Sequence, residues 1–300
     1  MWAPLAVAFG TALLATPLVR ALARRRGLLD QPNERSSHRH LTPRGGGLAV
    51  VIGLAAALVA RPSDWTATPP IVALVAGGAV VALIGLADDR FRLTPWPRFL
   101  GQLAVVVVLV RATGGLERLP LPPPLDLPLG PFSGPTAVLW VLAVLNFMNF
   151  MDGIDGIAGL QTCVTGAALA LAGWDASGSF VAAALVGACV GFLAFNWSPA
   201  SIFLGDVGSG FLGYVLASLP LLAPPRSRSA AVLLTGTSLL LFLLDATTCL
   251  LLRMARGERW YEAHRQHLYQ RWVAAGSSHG RVAAWIGIGS AAMTTRVETQ

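Results

Sequence analysis

A chain of 300 residues that is 54% hydrophobic and only 12% charged falls outside the soluble class, in which about a quarter of residues carry charge. Its net charge of +7 is carried wholly by arginine, since the sequence has no lysine, and in so apolar a chain that excess reports membrane topology rather than a nucleic-acid partner. Cys163, Cys189 and Cys249 all sit inside apolar runs, where a small buried hydrophobe is the expected role, not a disulfide or a metal ligand.

Taken in chain order, the apolar runs between charged or Pro/Gly-rich breaks predict an all-α, polytopic membrane bundle of about ten spans. They lie at roughly 3 to 22, 46 to 61, 70 to 87, 99 to 113, 136 to 151, 157 to 173, 179 to 195, 208 to 223, 230 to 252 and 281 to 293. Several are short for a hydrocarbon core of ~30 Å. The first run precedes its arginines (Arg20, Arg24, Arg25, Arg26), the reverse of a signal peptide, so it is expected to stay as the first span. No room remains for a separate soluble domain, and residues 1–300 read as one integral membrane unit with a basic loop at 23–45, a proline-rich loop at 114–135 and a histidine loop at 254–280.

Loops after the odd-numbered spans hold most of the arginines, from Arg20 to Arg44, from Arg90 to Arg98 and from Arg253 to Arg281. The positive-inside bias makes those loops cytoplasmic. The other face receives "LPLPPPLDLPLGPFSG", with no reactive side chain beyond Asp126.

The chemically rich stretches share the arginine-rich face. In "DQPNERSSHRHLTPRGGGLAV", Arg35, Arg39, Arg44 and the Gly45 to Gly47 run suit a phosphate-bearing ligand, and equally a positive-inside loop with turn chemistry. "LIGLADDRFRL" ends the third span on Asp88 and Asp89. Carboxylates at a helix C-terminus oppose its macrodipole, so a divalent cation or a bound cationic group is expected to offset them. "NFMNFMDGIDGIAG" sets Asn146, Asn149, Asp152 and Asp155 at a membrane edge, among glycines that let backbone approach a ligand. "FLGDVGSGFLG" puts Asp206 between Gly205 and Gly208, with Ser209 opening the next span, a pattern for an anion cradle beside a Mg²⁺-binding carboxylate. His264 and His267 in "EAHRQHLYQRW" are too few for a zinc site. They fit hydrogen bonding to phosphate, or else an interfacial helix anchored by Trp260, Tyr261, Tyr269 and Trp272. Acids for a metal, with glycines and arginines for phosphates, all at one mouth of a bundle, point to phosphoryl transfer with one substrate in lipid. A non-catalytic lipid or ion carrier is the rival class, and would place its acids within the spans.

From Asp30 to Trp272 the motifs "RSSHRHLTPRGGG", "DD", "NFMNFMDGIDG", "FNWSPASIFLGDVGS" and "HRQHLYQR" occur in order, and as a set the chain resembles the polyprenyl-phosphate N-acetylhexosamine-1-phosphate transferases. "HRQHLYQR" is more similar to the members that start O-antigen or other surface polysaccharides than to the peptidoglycan translocase, which carries a histidine triplet there. The resemblance implies attack by undecaprenyl phosphate on the β-phosphorus of a UDP-N-acetylhexosamine, release of UMP, a requirement for Mg²⁺ that Mn²⁺ can meet, and a cytoplasm-facing site in the bacterial inner membrane. It further implies Asp206 as the metal ligand, and Asp88 and Asp89 as a catalytic pair near the lipid phosphate. His264 and His267 become catalytic histidines, and Arg44, Asn146, Asn149, Asp152, Asp155, Asn196, Phe203, Ser209 and Arg265 substrate-binding residues. A phosphate monoester is mostly dianionic above its second pKa near ~6, so metal positioning and charge neutralisation outweigh proton abstraction as the expected role of Asp88. The substrates and the bilayer are the expected partners, and a homodimer stays open because exposed apolar surface is the norm in lipid. The last apolar run, "VAAWIGIGSAAMTT", is short, whereas members of that family continue through further membrane helix.

Overall fold

In lipid each backbone N–H and C=O must find its partner within the chain, and every apolar run is accordingly helical. The computed structural model describes residues 2–31, 41–121, 124–258 and 266–298, with side chains to 295. Its helices are α1 (Trp2–Arg25), α2 (Gly47–Ala60), α3 (Pro69–Phe91), α4 (Pro95–Thr113), α5 (Ser133–Met151), α6 (Ile157–Ala172), α7 (Ala176–Asn196), α8 (Asp206–Ser218), α9 (Pro225–Ser238), α10 (Leu240–Ala255), α11 (Leu268–Ala274) and α12 (His279–Glu298). Among the described residues, five segments are individually long and apolar enough to cross a membrane: α1, α3, α4, α5 with the turn before it, and α7. The α2 and α6 helices and α8 with its 3₁₀ extension to Leu222 are apolar but shorter. The short last run lies within the 20 residues of α12.

The run expected as one span at 230 to 252 is two helices, α9 and α10, bent by 73°. A break there frees carbonyls that lipid cannot satisfy. Gln161 of α6 donates to the Ser238 carbonyl at 2.7 Å, Ser290 of α12 donates to Gln161 Oε1 at 2.9 Å, and the Ser238 and Thr294 hydroxyls bond at 2.8 Å. All four side chains are buried. The polar clasp offsets the broken ladder and ties α6, α9 and α12 together.

Helix packing elsewhere relies on small residues that let backbones approach. A Cβ on Gly191 of α7 would lie 2.5 Å from the Phe9 carbonyl of α1. At one end of the bundle the C-termini of α3, α5 and α7 meet the N-termini of α2 and α8. A two-residue antiparallel pairing of β1 (Leu29–Asp30) with β2 (Thr42–Pro43) delivers Arg44 to that end. At the other end the proline-rich segment folds back as a hairpin, with Leu119 N–H donating to the Leu127 carbonyl at 2.8 Å. There Asp126 pairs with Arg118 at 3.0 Å, and buried Arg228 of α9 donates to the Gly115 carbonyl at 2.7 Å.

Candidate active site

The N-terminus of α8 is the hub. Gly205 precedes it at φ 75°, in the left-handed region that glycine alone enters without cost. The two N–H groups that follow, of Asp206 and Val207, donate to Asp89 at 3.0 and 3.1 Å. The N–H groups of Gly208 and Ser209 turn back to the Gly205 carbonyl, each at 3.0 Å. The expected anion cradle is therefore filled by the chain's own carboxylate. The same contact explains why α3 ends on acids, because the positive end of the α8 dipole offsets the negative end of α3.

In the Gly45 to Gly47 run, two N–H groups are engaged in packing. Gly46 and Gly47 donate to the carbonyls of Phe203 and Leu204, both at 2.8 Å, and Phe203 donates to the Pro43 carbonyl at 2.8 Å. Gly47 lies so close to Gly208 that neither has room for a Cβ.

Arg44 reaches from this platform to two carboxylates, Asp89 and Asp206 at 3.0 Å. Its Nε is buried without a hydrogen-bond partner. Burial works to lower the Arg44 pKa, but Asp89, Asp206 and Asp30 outweigh it and hold the guanidinium above its ordinary value. Asn149 of α5 donates to Asp206 Oδ1 at 2.6 Å and to Ser209 Oγ at 2.9 Å, so Asp206 is gripped from two sides while its side chain stays one-quarter exposed. Ser209 itself is buried and acts from beneath, through Asn149.

Asp152, just past α5, faces the same cluster. Burial and the charges of Asp206 and Asp89, only partly offset by Arg44, push its pKa up to about 8. Asp89, Asp152 and Asp206, with Asp30 also acting on Arg44, outnumber the one guanidinium, a surplus of negative charge. Among the described residues, no three His, Cys, Asp or Glu side chains converge into a ready metal cage. Mg²⁺ needs none, being bound through one or two carboxylates, waters and substrate phosphates, and this donor set fits that kind of ion.

The remaining expected residues divide. Asp88 turns away from Asp89 to accept from Arg98 at 2.5 Å and from the Leu93 N–H at 2.8 Å, so the two acids hold different structures. Asn146 donates to the Leu142 carbonyl at 2.8 Å and to Gln102 at 3.3 Å, about one helical turn before Asn149. Asn196 accepts from the Gly156 N–H at 3.2 Å and donates to the Ile202 carbonyl at 3.0 Å, stapling the loop after α5 to the loop after α7. Asp155 joins the same two loops, accepting from the Ala200 N–H at 3.2 Å and pairing with His279 at 3.3 Å. Burial resists its ionisation, but the His279 bond and charge, with Ala200 and Ser198, bring its pKa below the usual carboxylate range. Phe203 is half-buried.

His267 is buried beside Asp245 of α10, with Nδ1 and Oδ1 3.3 Å apart, and its ring stacks on Tyr269. Tyr269 is fully buried, so it is no interfacial anchor, and its hydroxyl donates to the Phe150 carbonyl at 3.2 Å. Trp272 stands edge-on to Trp285. His264, Arg265, Trp260 and Tyr261 lie outside the described residues. Arg98, Asp245 and His279 are the residues of this neighbourhood that lie outside the quoted motifs. For Asp245 a signal existed: it is the only charged residue in the run from 230 to 252, and an ionisable group in a span marks function by default.

The model of glycosyl transferase family 4 matches residues 71–223, which hold Asp89, Asp152 and Asp206. Over 274 residues the chain is 31% identical to the probable undecaprenyl-phosphate N-acetylglucosaminyl 1-phosphate transferase of Bacillus subtilis, covering 90% of this chain and 76% of that one. It is 32% identical over 316 residues to the decaprenyl-phosphate N-acetylglucosaminephosphotransferase of Mycobacterium tuberculosis, covering 91% and 77%. A phospho-N-acetylmuramoyl-pentapeptide-transferase of Frankia casuarinae is 29% identical over 77% of each chain. The chain belongs to glycosyl transferase family 4, the polyprenyl-phosphate sugar-1-phosphate transferases, and is a multi-pass membrane enzyme.

Proposed function

We propose that the protein transfers an N-acetylhexosamine-1-phosphate from a UDP-sugar to undecaprenyl phosphate. An oxygen of the lipid phosphate bonds to the β-phosphorus, the bond from that phosphorus to the bridging oxygen breaks, and UMP leaves with the electron pair. The carrying observation is Asp206, part-exposed and held by Arg44 and Asn149 in a cluster with surplus negative charge at the ends of membrane helices. Asp206 and Asp152 are the residues that would hold Mg²⁺, or Mn²⁺ in its place. When bound, the ion neutralises charge on the diphosphate, the main term in phosphoryl transfer. Asn149 fixes the Asp206 rotamer, and Arg44 supplies a permanent positive charge beside it. Asp88, spent on Arg98 and Leu93, orders the turn after α3, a role in line with positioning rather than proton abstraction.

The names of the Bacillus subtilis and Mycobacterium tuberculosis relatives, whose likeness runs over about nine-tenths of this chain, favour N-acetylglucosamine as the sugar. The histidine-loop form favours the initiation of O-antigen or another surface polysaccharide, and the arginine bias favours a cytoplasm-facing site in the bacterial inner membrane. The test is purified protein with labelled UDP-GlcNAc, undecaprenyl phosphate and Mg²⁺. Lipid-linked label and UMP are expected, both lost in Asp206→Ala and without divalent cation. UDP-MurNAc-pentapeptide is the competitor that separates the peptidoglycan reaction. Failure of every UDP-sugar to release UMP overturns the proposal.

A further inference from the structure

We infer that Asp245 is a positioning residue, which fixes the His267 imidazole and the short helix α11 against the acidic site. Asp245 sits on α10 just past the 73° bend, and both of its oxygens are engaged. Oδ1 faces His267 Nδ1 at 3.3 Å and accepts from the Leu268 N–H at 2.9 Å. Oδ2 accepts from the same N–H at 2.9 Å and from the Tyr269 N–H at 3.5 Å. A carboxylate accepts, so a hydrogen bond from the ring to Asp245 requires the tautomer with its proton on Nδ1. That is how a carboxylate behind an imidazole sets its tautomer and orientation.

The same carboxylate holds α11. Seven residues are too few for a helix to persist by itself, and Asp245 takes the first N–H groups of this one. From α11 the link runs on to the acids. The His267 and Tyr269 rings lie 5.7 Å apart at 19°, and the Tyr269 hydroxyl meets the Phe150 carbonyl at 3.2 Å, two residues before Asp152. Gly153 packs against that hydroxyl with no room for a Cβ. Asp245 thereby connects α10, His267 and the loop that carries Asp152.

The inference rests on the transfer reaction proposed above. Asp245→Asn keeps the size and one acceptor oxygen, but its amide can face Nδ1 and select the opposite tautomer. Its kcat for UMP release should fall about 10- to 100-fold, as for other residues that orient a functional imidazole, while KM for the UDP-sugar stays within about twofold. In a His267→Gln background Asp245→Asn should cost nothing further, because residues that act through one another are non-additive. Asp245→Glu should recover part of the rate. Asp245→Ala should speed amide exchange at Leu268 and Tyr269 by about tenfold or more, through loss of their acceptor. Parent-like kcat in Asp245→Asn, or losses that multiply with His267→Gln, overturns the inference and leaves the reaction standing. If the parent releases no UMP from any UDP-sugar, the reaction falls instead. Unchanged exchange in Asp245→Ala then overturns the positioning role, and accelerated exchange supports it.

Discussion

Asp89 Oδ1 accepts the Asp206 backbone N–H at 3.0 Å, so the last turn of α3 caps the first turn of α8. The capped helix begins with the residue expected to meet the metal, and its cap also pairs with Arg44. Asp89→Ala would leave two N–H groups without their acceptor and Arg44 with Asp206 as its remaining carboxylate partner. Breaking a buried pair by removing one partner costs about 3–5 kcal/mol, and a large fall in thermal stability in detergent is expected. Asp89→Asn keeps an oxygen for the N–H groups and should lose less. A melting temperature for Asp89→Ala equal to the parent's would refute the capping role.

How much of this was legible depends on whether the deciding contact is local. Lipid forces an apolar run into a helix, so the runs map onto helices with ends displaced by a few residues. The α9–α10 break is different, because its compensating donor, Gln161, lies 77 residues away. Asp88 and Asp89 read as a pair from adjacency, yet successive residues on a helix point about 100° apart, and each finds its own cation. The glycines of 45–47 and 205–208 have the composition of a phosphate cradle and of a close backbone crossing alike. Only the partner opposite them settles which. Asp206 and Asn149 were legible because a polar group at a span's end needs a reason to be there. His279 was not, since its partner Asp155 is 124 residues away in sequence.

Gly47→Ala separates the two readings of the glycine run. A cradle would tolerate the methyl thermally and lose substrate affinity. A backbone crossing with Gly208 has no space for it, and overpacking costs about 1–3 kcal/mol or more where the obstacle is backbone. The expected result is a lower melting temperature with substrate absent. A variant that melts like the parent but shows a raised KM would restore the phosphate role.

Asp152 gives the metal-free protein a pH signature. Its pKa stands near 8 when folded against ~3.9 unfolded, so between those values the folded state binds more protons than the unfolded one. Stability must then fall as pH rises through that window and level off above it. In EDTA the parent should lose melting temperature from pH 5 to pH 8 more steeply than Asp152→Asn, which carries no charge to repel Asp206 and Asp89. Equal slopes for the two proteins would show that the cluster does not load this carboxyl.

Arg44 and a divalent cation compete for the same oxygens. With Asp206 Oδ2 bound to Arg44 at 3.0 Å and Oδ1 bound to Asn149 at 2.6 Å, an ion arriving without substrate meets a carboxylate already partnered by a fixed positive charge. Like charges a few ångströms apart repel by a few kcal/mol at an effective dielectric near ~20. Arg44→Gln should therefore raise Mn²⁺ affinity of the substrate-free protein by about tenfold or more, read from the free-ion EPR signal in a Mn²⁺ titration. Arg44→Lys, which keeps the charge, should bind Mn²⁺ like the parent. Asp206→Asn in the Arg44→Gln background should remove the gain, which ties the ion to that carboxylate and not to the lipid headgroups or detergent. Unchanged affinity in Arg44→Gln would mean that the ion does not share Asp206 with the guanidinium.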